Sequence, residues 1–182
     1  MTTANTENLS RIRVTAWSAS ATLTLLPLLT LKLADPRAWD FTDLPLAFIM
    51  IAAVGAAFEI ASRVPTDWAY RTGAALAAGA ALLLIAGNLA VGFAGSEDNV
   101  VNILFFAIPV IVLAGALAVR FRSAGLATTM ACAAAAQLAA GLVVFYHGYF
   151  TGPLTVAFTG LWFSSSLAFL RSSRASVAGA VT

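Results

Sequence analysis

Side chains able to do chemistry are few in this chain, and they fall into small groups. Glu97 and Asp98 stand together, His147 is the single histidine and Cys132 the single cysteine. A histidine with carboxylates is a donor set for a divalent metal or for proton transfer. Here the spacing matches no zinc or di-iron pattern, and Glu97 and Asp98 already have a role at a helix start, where the dipole favours anions. No metal ligand and no catalytic residue is therefore expected. A haem held by two histidines needs one more than the chain has. Neither a glycine-rich phosphate loop nor a Ser-His-Asp set nor His-Glu-x-x-His occurs. An enzyme built on Glu97, Asp98 and His147 is the least expected reading, and no cofactor is expected. Cys132, in the run Met130-Ala131-Cys132-Ala133, has no second cysteine to pair with, and a thiol in apolar surroundings is inert.

The remaining polar groups sit inside apolar runs, where each is costly and so informative. Asn88 falls roughly 10 Å below the end of one run at 1.5 Å per residue, and Asn102 lies in the first turns of the next. Pro109 cannot donate to the carbonyl of Phe105. Together these groups predict either hydrogen bonding between helices or a small pocket at that end, lined by Asn88, Asn102, Glu97, Asp98 and His147. Glu59 precedes Arg63 by four residues, the favourable order for an ion pair along a helix, and is read as a structural anchor. Gln137 lies among alanines and Gly141 and is read as a packing bond across a close helix contact, with Thr155 and Thr159 either its partners or bonded to their own backbone.

The medium around these groups follows from composition. The 182 residues are 60% hydrophobic and 10% charged, whereas a soluble domain carries roughly 25% charge. The mean hydropathy is +0.90, which suits a chain dissolved mostly in lipid. The net charge is +2, and the ten Lys and Arg residues are scattered in pairs at the ends of apolar runs rather than gathered on one basic face, which excludes a nucleic-acid partner. A membrane crossing needs about 20 apolar residues. Six runs qualify: Val14–Leu33, Leu44–Ala61, Thr72–Gly95, Val101–Val119, Leu126–His147 and Pro153–Leu170. The expected fold is an all-α transmembrane bundle of six helices (14–170), with tails at 1–13 and 171–182. Thr66, Ser96 and Thr151 are the expected helix-start caps of the third, fourth and sixth runs, with Thr42 and Asp43 before the second. The first run follows Arg11 and Arg13 as a signal peptide would. It is longer than a signal core, and a cut after Ala34 would put Lys32 where a small residue is wanted, so it is read as a retained helix.

Arginines set the orientation. Arg11, Arg13, Arg63, Arg71, Arg120, Arg122, Arg171 and Arg174 fall on one side of the six crossings, against Lys32 and Arg37 on the other. Basic residues stay on the cytoplasmic side, so both termini are expected inside, in a multi-pass protein of the bacterial inner membrane. Trp39, Trp68, Tyr70, Tyr146, Tyr149 and Phe150 flank the runs, as aromatic rings at the headgroup layer do.

Several segments carry a likeness to known sequences: Trp39 with Asp43; Phe58-Glu59 followed by Ala61 and Arg63; Ala69-Tyr70-Arg71; Asn88-Leu89-Ala90-Val91-Gly92; Gly95-Ser96-Glu97-Asp98-Asn99 with Asn102; and Arg120-Phe121 with Gln137. In these the chain resembles an uncharacterised family of bacterial multi-span inner-membrane proteins carrying the Gly-Ser-Glu-Asp-Asn motif between two spans. Val100 stands where that family has proline, and Phe58 where it tends to have tyrosine. The resemblance implies about six spans and brings no activity with it. Abundant close-packing residues beside scarce reactive ones point to a non-catalytic accessory or interaction subunit. Its partners would be membrane lipid and a second copy or another membrane protein. The alternative is a small permease-like or ligand-sensing bundle with a periplasm-facing polar pocket.

Overall fold

A computed structural model describes residues 67–96 and 99–179, with seven isolated positions between Val14 and Leu33. The second predicted span, the Glu59–Arg63 pair, Glu97 and Asp98 lie outside the described residues, as does most of the first span. All regular structure among the described residues is helical: α1 (Trp68–Val91), a 3-10 turn (Val100–Asn102) leading into α2 (Ile103–Ala118), α3 (Ser123–Tyr146) and α4 (Gly152–Gly179). Counting the 3-10 turn with α2, all four are long and apolar enough to cross a membrane. The shortest crossing, Val100–Ala118, has 19 residues, about 28 Å at 1.5 Å per residue, close to the hydrocarbon thickness.

Local chemistry moves the helix ends away from the limits of the apolar runs. α1 starts at Trp68 rather than Thr72 because Asp67 caps it, Oδ1 accepting from Ala69 N at 3.0 Å. It stops at Val91 rather than Gly95 because Gly92 turns to φ 61°, its N–H returning to Asn88 O at 3.0 Å. That left-handed geometry strains any residue with a Cβ. α4 runs past the predicted limit at Leu170 as far as Gly179. Arg171 and Arg174 end the apolar run but not the helix, which Ser172, buried, and the hydrogen bond from Ser176 Oγ to Ser172 O carry on.

α4 packs against α1 and α3, and α2 packs against the same two helices, so the four form a ring. Leu84, Phe105, Ile108, Met130, Val144, Trp162 and Phe169 fill its interior. The outer surface is also apolar: Leu83, Val110, Leu113, Leu142, Phe145 and Val156 are exposed. Helices apolar on every side need an apolar solvent. In lipid the hydrophobic effect does not hold helices together, so close packing and polar contacts must. Both are present. A Cβ built on Gly141 would stand 2.3 Å from Thr155 Oγ1, and one on Gly115 2.6 Å from Thr129 Cγ2, so only glycine lets α3 meet α4 and α2 so closely. The adjacent Ser165 and Ser166 of α4 reach opposite ways, donating to Gly73 O in α1 and Ala127 O in α3, each at 2.7 Å.

Candidate functional site

The three asparagines among the described residues converge at the turn between α1 and α2. Asn88, one turn before the end of α1, donates from Nδ2 to Asn102 O at 3.0 Å and accepts at Oδ1 from Phe93 N at 3.1 Å. Asn102 accepts at Oδ1 from Ala94 N at 2.8 Å and donates from Nδ2 to Ser96 O at 2.6 Å. Asn99 donates to Ala94 O at 2.7 Å and caps the 3-10 turn, accepting from Val101 N at 3.0 Å. Three asparagines thus satisfy a turn that has few backbone partners of its own. Asn88 and Asn102 are 1% and 2% exposed, and both atoms of each amide are engaged. Phe93, against Phe105 edge-on at 5.4 Å and beside Phe158 at 6.1 Å, closes the turn from below.

The structure therefore brings Asn88 and Asn102 together, Asn88 Nδ2 on the carbonyl of Asn102, and bonds their amides to backbone. Ser96 was the expected cap of the next helix; Asn99 does that work, and sequence reading missed it. An asparagine immediately before Val100 and Val101 was the available signal. His147 is exposed at the end of α3, where its N–H returns to Val143 O. No hydrogen bond joins it to the asparagines among the described residues. The neighbouring Tyr149 does reach the turn: its ring lies where a Cβ on Gly95 (φ 88°) would fall, 2.7 Å from Cε1.

Gln137 departs from expectation. It is fully buried, and among the described residues neither amide atom finds a partner. Thr155 packs on Gly141, one turn away, and its hydroxyl lies 3.4 Å from that of Thr151. Thr159 Oγ1 and Trp162 Nε1, on the helix facing Gln137, are buried and unpartnered too.

At the opposite end of the ring, α2 and α3 are joined by a tight turn. Phe121 N bonds back to Ala116 O at 3.0 Å, and Arg120 and Phe121 both adopt positive φ, 51° and 56°. Tyr70, expected at the lipid interface, is instead 4% exposed and holds this turn, its hydroxyl donating to Phe121 O at 3.0 Å. Beside the turn lies a cavity of about 350 Å³ lined by Ala118, Val119, Arg120, Arg122, Ala124 and Gly125. Among the described residues no three His, Cys, Asp or Glu side chains gather as a metal site would require.

Comparison with known proteins adds no relative: no family model matches the chain, and no curated protein or solved structure does either. The class that the fold defines is thus a helical bundle with, among the described residues, four apolar helices long enough to cross a membrane.

Proposed function

We propose that this chain is a non-catalytic interaction subunit of the bacterial inner membrane, crossing it six times with both termini in the cytoplasm, and that it self-associates through α3. The observation that carries this reading is the outward face of α3. Ala131, Ala135 and Ala139 recur every fourth residue there and are exposed, with Cys132 beside them. Such a ridge of small side chains admits another helix backbone at close range, the main source of attraction between helices in lipid. The same helix uses its inward small residues, Ala133, Ala140 and Gly141, to pack within the chain, so the outward set repeats a device already at work inside. The run Gly95–Asn99 supports kinship with the multi-span family it resembles.

A periplasm-facing polar pocket has in its favour that Asn88 and Asn102 meet. Because their amides are engaged with backbone, they offer a ligand less than the ridge offers a helix.

Sizing of the full chain in mild detergent, with the detergent mass subtracted, tests the proposal. A dimer or larger is expected for the wild type and a monomer for Ala135→Leu, which plants a branched side chain on the ridge. A wild type that is monomeric and purifies alone would overturn self-association.

A further inference from the structure

We propose that the cavity beside the α2–α3 turn binds the phosphate of an anionic phospholipid headgroup. Ala118 and Val119 come from the end of α2, Ala124 and Gly125 from the first turn of α3, and Arg120 and Arg122 from the turn between them. The site thus has apolar residues where a crossing helix ends, with two exposed arginines, Arg120 and Arg122, in the turn beside them. That is the order of an acyl chain and its headgroup. A guanidinium presents a planar fork of N–H donors that matches phosphate oxygens two at a time. The volume of about 350 Å³ falls within the range of small-molecule sites, roughly 300–1,000 Å³.

Three further features suit an anion. The first N–H groups of a helix have no partner within it. α3 has no side-chain cap at Arg122 and no acid in its first turn, so nothing in its own sequence answers them. Its dipole adds partial positive charge at the same place. The turn is also held in shape: Tyr70 fixes Phe121 O from α1, and the N–H groups of Arg120 and Phe121 return to Leu117 O and Ala116 O. Arg120 holds a positive φ of 51°, a conformation unfavourable for a residue with a Cβ. Held so, Arg120 and Arg122 line the cavity together. Basic pockets between crossing helices are one means of holding anionic headgroups. The inference rests on the membrane reading alone and is independent of self-association.

Native mass spectrometry of the full chain, released from detergent with added lipid, tests it without regard to orientation in the cell. With phosphatidylglycerol and phosphatidylcholine offered together, phosphatidylglycerol is expected to be retained preferentially. Arg120→Gln and Arg122→Gln should each lower that preference about fivefold, and the pair about thirtyfold. Arg120→Lys with Arg122→Lys should keep most of it, which separates lost charge from lost folding. Arg171→Gln with Arg174→Gln, at the end of α4 on the same side of the bundle but not lining the cavity, should leave it unchanged. Equal retention of the two lipids by the wild type would overturn the proposal. An equal loss from the α4 pair would also do so, since the effect would then belong to overall charge. Displacement of phosphatidylglycerol by equimolar inorganic phosphate would reassign the site to free phosphate and overturn the lipid assignment.

Discussion

The contact between Gly141 and Thr155 permits a quantitative test of how α3 and α4 are held together. A methyl added at Gly141 would stand 2.3 Å from Thr155 Oγ1, 2.4 Å from Cγ2 and 2.9 Å from Cβ, where ordinary contact begins at 3.4 Å. Two of the three clashes are with atoms that Thr155→Ala removes. Gly141→Ala alone must push the helices apart by about 1 Å, an overpacking expected to cost about 1–3 kcal/mol. Thr155→Ala alone removes a methyl and a long 3.4 Å contact between hydroxyls, and should cost about 1 kcal/mol. The double variant keeps only the contact with Cβ. It should therefore be more stable than the sum of the two singles by about 1–2 kcal/mol, a coupling of the size seen between touching residues. The assay is reversible unfolding of the full chain in mixed micelles, followed by helical circular dichroism as the denaturing detergent fraction rises. Additivity within about 0.5 kcal/mol, or a neutral Gly141→Ala, would refute the claim that this glycine sets the approach of the two helices.

Asn102→Ala should cost about 1–3 kcal/mol in the same titration, since it strands the buried N–H of Ala94, whereas the carbonyl of Ser96 keeps the N–H of Asn99; a loss below about 0.5 kcal/mol would mean the turn does not depend on it. Gln137→Leu should be neutral or stabilising by up to about 2 kcal/mol, because neither amide atom has a partner to lose, and marked destabilisation would reveal an unseen one. Arg120→Gly should raise stability by about 1 kcal/mol in detergent free of anionic lipid, as glycine takes φ 51° without strain. A loss of stability there would show that the arginine side chain holds the turn.

The third to sixth apolar runs of the sequence each correspond to a helix, because a crossing needs a length of apolar chain that nothing else in the sequence imitates. The ends were less legible. Hydropathy counts Gly92 and Gly95 as part of the third run, whereas backbone geometry at Gly92 ends the helix there. Likewise Arg171 closes an apolar run without closing α4. At the α1–α2 turn, Asn88 and Asn102 were readable as partners because lone amides in apolar runs must find each other or the backbone. Which of these they find depends on the path of the chain between them, through Phe93, Ala94 and Ser96, and periodicity carries no record of it. Tyr70 shows the same limit: an aromatic residue near a crossing end suits the headgroup layer, yet the bond to Phe121 O, fifty-one positions away, draws it inside. The α2–α3 cavity was not legible at all, since it depends on two consecutive residues at positive φ that no glycine announces.

The sidedness of the two turns is the most direct test of the membrane reading. In a full chain carrying Cys132→Ala, Ser96→Cys and Ser123→Cys are examined one at a time in intact cells with a thiol reagent that cannot cross the bilayer. Labelling at position 96, and protection at position 123 until the membrane is opened, are expected. Reaction at 123 from outside with 96 protected would reverse the orientation, and free reaction at both would remove the bilayer from between them.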